Sequence, residues 1–122
     1  MTNTARVLYE FFSGFGIPAY VQDTIPDNAQ MPYITYELME PEPLSYSLMH
    51  ANVWYKDTSY NAVSAKCDEI KAAIGRGMTI PTGNGFIALF RDNGTPFAQI
   101  MSDPNPETKR IVLTFRIMCN TD

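Results

Sequence analysis

The chain has 122 residues, of which 45% are hydrophobic and 18% charged, and this size and composition predict a single folded domain spanning residues 1–122. The net charge of −4 argues against a dedicated nucleic-acid binder, which would carry a basic patch. The opening residues MTNTARVLYEFF contain no apolar run long enough for a signal peptide or a membrane span, which predicts synthesis in the cytosol and no membrane partner.

A helix is predicted at the beginning of the chain, followed by a short strand. The apolar residues that define the helix fall on one face at spacings of 1, 3, 1 and 3: Val7, Leu8, Phe11, Phe12 and Phe15. Asn3 or Thr4 is expected to cap its start, and Gly14 and Gly16 to end it. The segment GIPAYV then predicts an edge strand, because Pro18 cannot donate a ladder hydrogen bond.

The next two segments predict a hairpin. YITYELM, from Tyr33, is rich in β-branched and aromatic residues, and residues 44–55 resume strand character after a proline-acid loop, EPEP. Such a loop is expected to be exposed and available for contacts.

A second helix is predicted from a stripe of apolar residues at spacings of 4, 3 and 4: Val63, Cys67, Ile70 and Ile74. Asp57, Thr58 or Ser59 is expected to cap its first turn, because these side chains accept bonds from unpaired amide groups. Gly75 and Gly77 are expected to end it.

The remainder of the chain predicts three strands. MTIPTGNG is interpreted as a turn-rich connection, FIALF and PFAQIM as short strands, and residues 111–119 as a long strand with alternating apolar positions. The predicted order is therefore helix, strand, hairpin, helix and three strands. This order predicts an α+β domain with a mostly antiparallel sheet and two helices on one face.

The sequence offers no group of residues arranged for catalysis, cofactor binding or metal binding. His50 is the only histidine and lies in a predicted strand, where no grouped ligands surround it. Asp68 and Glu69 are adjacent on a helix and point about 100° apart, which prevents them from acting as a paired acid and base. Cys67 and Cys119 occupy apolar positions and are predicted to be core residues. We therefore expect no enzyme activity and no cofactor.

The order of the segments resembles the small tail-terminator, or tail-completion, proteins of long-tailed bacteriophages. In that group a PYITY-like strand, an aromatic strand leading into a Ser/Thr-Tyr helix start, and a closing strand after a polar loop follow one another. Here the corresponding segments are MPYITYEL, VWYKDTSY, AVSAKCDEI, IGRGMTIPTGNGF and TPFAQIMSDPNPETKRIVLTF. The resemblance covers roughly residues 17–119 and rests on segment order, not on a catalytic signature.

The resemblance implies a structural virion protein that assembles in the host cytoplasm into a six-membered ring at the head-proximal end of the tail tube. Such a ring stops tube polymerisation and provides the docking surface for the neck of the head. Its implied partners are other copies of itself, the tail tube protein and a neck or head-completion protein, with DNA only passing through the lumen. Acidic overall charge agrees with such a passage.

Two other functions are compatible with the sequence. The first is another neck component, such as a head-completion, adaptor or stopper protein. The second is a small ligand-binding or regulatory α+β module, which would have a pocket lined by convergent polar groups.

If the ring forms, its contacts are expected in the exposed loops and on the aromatic strand. The loops are residues 40–47, 91–96 and 102–109. The predicted interface residues are Glu40, Glu42, Leu44, Tyr46, Trp54, Tyr55, Arg91, Asp92, Asn93, Asp103, Asn105, Glu107 and Lys109. Whether Trp54 and Tyr55 lie in the core or at an interface is left open by the sequence.

Overall fold

The protein is described here by a computed structural model, which covers residues 2–120. Over these residues it has two helices and a sheet of seven strands, so its class is α+β as predicted. The elements in chain order are α1 (Thr2–Ser13), β1 (Ala19–Val21), β2 (Tyr33–Tyr36), β3 (Tyr46–Lys56), α2 (Asn61–Ile74), β4 (Met78–Pro81), β5 (Phe86–Arg91), β6 (Ala98–Met101) and β7 (Thr108–Asn120).

Four strands follow α2, whereas the sequence predicted three. The additional strand is β4, which was interpreted as part of a turn-rich connection and which pairs antiparallel with β5. Met78 and Ile80 of this strand pack against the core, and Pro81 is tolerated because β4 lies at an edge of the sheet. A four-residue segment beside glycine and proline gives too weak an alternation to be recognised in the sequence.

The sheet is mixed, and the prediction of a mostly antiparallel sheet was wrong. Its strand order is β1-β2-β3-β7-β5-β4, with β6 also paired to β7. β1 runs parallel to β2, because the connection between them returns the chain to the starting end of β1, where the amide of Ile34 donates to the carbonyl of Pro18 at 2.8 Å. Nothing in the composition of that connection indicated this return.

The centre of the sheet is a long ribbon formed by β3 and β7. These strands pair in register from Tyr46 opposite Met118 to Lys56 opposite Thr108. On the other side of β7, β5 pairs with residues 115–120 and β6 with residues 110–113. β5 and β6 therefore follow one another along the same side of β7.

Both helices pack on one face of this sheet, where the core lies. Phe12 of α1 stacks on Tyr36 with ring centroids 4.6 Å apart, and its edge meets Phe115 at 5.6 Å. The predicted apolar stripe of α2 is confirmed as buried, and it includes Cys67. The aromatic pairs add specific geometry to the area buried by Phe12.

The helix caps differ from the predicted ones. The residue at the N-cap of α2 is Tyr60, which makes no side-chain capping bond. Asp57 and Ser59 instead accept bonds from Thr58 and Asn61 within the preceding turn. Asn3 and Thr4 both lie inside α1 and do not cap it. Asx and Ser turns compete with capping for the same side chains, which explains the difference.

Candidate assembly interface

One face of the sheet carries neither helix. Because side chains alternate across a strand, the register of β3 and β7 assigns to it the residues that point away from the core: Tyr46, Leu48, His50, Asn52, Trp54, Arg110, Val112, Thr114, Arg116 and Met118. We call this surface the helix-free face. Most of its residues are partly buried by their neighbours on the sheet, but no helix covers them.

Arg116 organises one end of the helix-free face. Its guanidinium carbon lies 3.6 Å from the ring centroid of Tyr46 and 5.4 Å from that of Phe90. The contact with Phe90 follows from the register, which places the two residues directly opposite each other. Cation–π contacts of this kind hold the charged head against aromatic rings. Tyr46 is thereby fixed although its side chain is exposed.

Trp54 organises the other end. Its indole Nε1 donates to Thr35 Oγ1 at 2.9 Å, and the guanidinium of Arg110 lies 4.9 Å above its ring. Tyr55, the next residue, points to the opposite face and packs against the core. The two aromatic residues that the sequence left undecided are thus separated by the pleat of β3, with Trp54 on the open surface and Tyr55 beneath the helices.

Part of β3 forms an open sheet edge. β2 ends at Tyr36, opposite Ala51, so residues 46–49 pair with β7 alone among the described strands. At the point where the ladder ends, Glu37 donates its amide to the carbonyl of His50 at 3.0 Å, and its carboxylate accepts the amide of His50 at 2.7 Å. Edges of this kind offer unpaired backbone groups to another chain.

Large apolar side chains are concentrated at this edge. Leu44 is 65% exposed, Tyr46 51% and Leu48 40%. We call these three residues the apolar edge. Only three other large hydrophobic residues are exposed within residues 2–120, namely Tyr9, Ile25 and Ile100. Single exposed apolar residues are ordinary, whereas a cluster on an open strand edge is typical of an interaction site.

The loop that carries Leu44 is pinned to the sheet. The amide of Leu44 donates to the carbonyl of Cys119 at 2.9 Å, and Cys119 Sγ donates to the carbonyl of Pro41 at 3.1 Å. The backbone of Leu44 has a φ of +61°, which is unfavourable for a residue with a branched side chain. The fold therefore holds an apolar side chain outward in a strained conformation, a feature that is often associated with function.

The other predicted interface residues are distributed over several turns. Asp92 accepts the amide of Gly94 at 3.2 Å, and Asp103 accepts that of Asn105 at 2.9 Å, so both carboxylates close their own loops. The side chain of Asn105 likewise accepts the amide of Glu107 at 2.9 Å. These side chains shape their turns.

The remaining predicted residues lie at separate places. Arg91 is exposed at the end of β5, and Asn93 is exposed in the turn that follows. Lys109 donates to the carbonyl of Pro106 and lies 5.3 Å from the ring of Tyr60. Glu40 accepts a bond from Thr4 at 2.6 Å and so fastens the 40–47 loop to α1.

The structure therefore brings Glu42, Leu44 and Tyr46 together at one end of the β3–β7 ribbon. It places Trp54 at the opposite end, with Glu107 and Lys109 near it in the chain that enters β7. Leu48, Arg110 and Arg116 were not predicted as interface residues. The alternation of residues 111–119 placed Arg116 on the face opposite the core, and the register of β7 adds Arg110 to that face.

Both cysteine thiols are buried and stay protonated near neutral pH. Burial, reinforced by the nearby charge of Asp68, raises the pKa of Cys67 to about 12. Burial also raises the pKa of Cys119, with Glu40 and Glu42 adding to the effect. Reactive cysteines need the opposite setting, an exposed and electropositive one. Over residues 2–120, no cluster of His, Cys, Asp and Glu has the arrangement needed to hold a metal ion.

Comparison with protein-family models found no match for this sequence, and comparison with curated proteins found none either. Among residues 2–120, neither helix has the length and apolar character needed to cross a membrane.

Proposed function

We propose that this protein is a phage tail terminator, a structural virion protein that forms a six-membered ring at the head-proximal end of the tail tube. The observation that carries the proposal is the apolar edge, in which Leu44, Tyr46 and Leu48 stand exposed at the start of β3, where this strand pairs with β7 on one side only. Burial of such residues between copies is the favourable term that a ring requires. The order of segments along the chain supports the same assignment.

A closed ring needs two different surfaces on each subunit, because its contacts are heterologous. The apolar edge is one such surface. A second open edge is β6, which pairs only with β7 among the described strands and which exposes Ile100 by 55%. The two edges lie at opposite ends of β7, because the apolar edge lies beside residues 116–118 and β6 beside residues 110–113. A head-to-tail contact would bring the apolar edge of one copy to the end of its neighbour that carries β6 and Trp54.

The proposal is tested by removing the protein from an assembling phage and imaging the tails. A terminator stops tube growth, so we expect tails of irregular, excessive length that carry no heads. Tails of normal length attached to heads would contradict the proposal. Pull-down with tail tube protein and with portal protein, side by side, separates the terminator from another neck component, because only a terminator binds the tube.

A further inference from the structure

A cavity of about 250 Å³ opens on the helix-free face beside Trp54. Its floor is formed by Thr35, Asn52 and Trp54 from the sheet, and the loop after β1 closes its side with Gln22 and Ile25. Arg110 lines the same space. We call this cavity the Arg110 pocket. It combines one cation with several hydrogen-bonding groups and an aromatic wall, as ligand sites do.

Within the described chain, Arg110 makes no ion pair in this pocket, although the carboxylate of Asp23 lines the same space. Its guanidinium lies over the ring of Trp54, and its Nε is buried without a hydrogen-bond partner. Within residues 2–120 it forms neither an ion pair nor a side-chain hydrogen bond. The Nε of Arg110 is itself enclosed, as is that of Arg116. The outer nitrogens of the Arg110 guanidinium have no acceptor among the described residues, so an incoming acceptor on them would be favoured.

The chemistry of the pocket is that of a carboxylate receptor. A guanidinium fixed on an aromatic ring is a planar fork, which binds a carboxylate through two parallel hydrogen bonds. The amide of Asn52 can donate to the same ligand. Thr35 can also donate, because its oxygen already accepts from Trp54 and leaves the hydroxyl hydrogen free.

We propose that the Arg110 pocket receives the carboxylate of Glu42 from a second copy of this chain. Glu42 is exposed, and its carboxylate makes no hydrogen bond or ion pair within the described residues. Most other acids are already engaged, for example Asp92, Asp103 and Glu107 in their turns or ion pairs. The pinned loop that presents Leu44 presents Glu42 as well.

The placement of the two sites agrees with a contact between copies. Tyr46 and Trp54 are eight residues apart on β3, which separates the Glu42 loop from the pocket by roughly 27 Å along the strand. Glu42 therefore cannot reach the pocket of its own chain. Leu44 lies two residues after Glu42, and Ile25 is an exposed apolar residue at the rim of the pocket. A docked Glu42 would therefore bring apolar surface of the loop to the rim. The proposed contact therefore pairs Glu42 with Arg110 and places the apolar part of the loop near Ile25.

Asp23 also lines the pocket and bears a carboxylate of its own. It is exposed at the rim, whereas the Nε of Arg110 is enclosed. Asp23 opposes an incoming carboxylate, so the contact stays weaker than the pocket would otherwise allow. Asp23→Asn is therefore expected to strengthen association between copies, which a purely structural role of this pocket would not produce.

The experiment compares Arg110→Glu, Glu42→Arg and the double variant, in which the charges are exchanged. Association is measured by sedimentation velocity of the purified chain and by its retention on tail tubes, and folding is checked by thermal unfolding. Each single variant is expected to weaken association about 30-fold or more, and the double variant to recover most of it. The matched controls are Arg76→Glu and Asp68→Arg on the helix side, which are expected to leave association unchanged.

A second measurement keeps the test decisive if Arg110→Glu fails to fold. The variant that carries both Pro43→Cys and Ile25→Cys is treated with a short bismaleimide on tail tubes. Pro43 is exposed beside Glu42, so this variant keeps the carboxylate that makes the proposed contact. The native thiols are buried and react slowly, so the expected product is a ladder of linked copies. Folded single-charge variants that associate normally, or a cysteine pair that gives no linked copies on occupied tubes, would overturn the proposal.

The proposal rests on the ring, but the two can fail separately. If tails lose their length control without the protein while the charge variants assemble normally, the Arg110 pocket is not the contact and the terminator function stands. If copies are linked between the Glu42 loop and the pocket while tails keep their length in the absence of the protein, the contact stands and the terminator function falls.

Discussion

Replacement of Leu44 by glycine separates the stability of the fold from the assembly of copies. The φ of +61° at Leu44 costs a residue with a side chain about 1 to 2 kcal/mol, and glycine removes that cost. Against this gain, glycine loses the buried third of the leucine and gains freedom in the unfolded chain, together about 1 to 2 kcal/mol. We therefore expect the free energy of unfolding to stay within about 1 kcal/mol of the parent value.

Assembly should respond much more strongly. In the proposed ring, burial of the 65% of Leu44 that is exposed would contribute about 1 to 2 kcal/mol to each contact between copies. Leu44→Gly is therefore expected to weaken association roughly 5- to 30-fold per contact. Leu48→Gly, in the regular part of β3 and only 40% exposed, is expected to destabilise the fold itself by about 2 kcal/mol.

The assay combines denaturant unfolding, for the free energy of unfolding, with sedimentation velocity and retention on tail tubes, for association. Tyr9→Ala is the matched control, because Tyr9 is 55% exposed on α1, away from the apolar edge. It should leave association unchanged. The reasoning is refuted if Leu44→Gly unfolds far more easily than the parent while its association is unaltered, since Leu44 would then serve the fold alone.

Three further variants test the fold beneath the interface. Phe12→Ala removes a fully buried ring that stacks on Tyr36 and should lower the free energy of unfolding by about 3 to 5 kcal/mol in urea titration. Burial raises the pKa of Cys67 from 9.0 to about 12 in the folded protein. The stabilisation that its protonated thiol gives to the fold is therefore complete below pH 9 and is lost as the pH rises toward 12. Unfolding should be about 1 kcal/mol easier at pH 10 than at pH 8, and Cys67→Ala should flatten that slope. Gly75→Ala causes no steric clash, because the added Cβ would lie 4.0 Å from its nearest neighbour, Ala72 O. It does require alanine to adopt the φ of +59° found at Gly75. Its melting temperature should fall by an amount that corresponds to about 1 to 3 kcal/mol, whereas an unchanged melting temperature would show that the end of α2 relaxes.

The helices and the long strands could be predicted from the sequence because their signals are periodic. The stripe that includes Val63 and Ile70 has a helical repeat. Along residues 111–119, apolar residues occupy every second position, which is the period of a strand and not of a helix. The core positions of α2 and β7 followed directly from these periods, and burial confirms them.

The features that the sequence did not reveal depend on tertiary contacts. β4 is too short for its alternation to be distinguished from a turn, and the parallel pairing of β1 depends on where a connecting loop returns. The Arg110 pocket combines side chains from β2, β3, β7 and the loop after β1, which no local pattern relates. The EPEP sequence predicted an exposed loop, but not the positive φ of Leu44 that directs its side chain outward.

The central claim is most directly tested by imaging the protein on the end of the tail tube by electron cryomicroscopy. We expect six copies in a closed ring at the head-proximal end, with the apolar edge of each copy covered by its neighbour. A protein found on the portal instead of the tube, or a ring in which Leu44, Tyr46 and Leu48 face solvent, would contradict it.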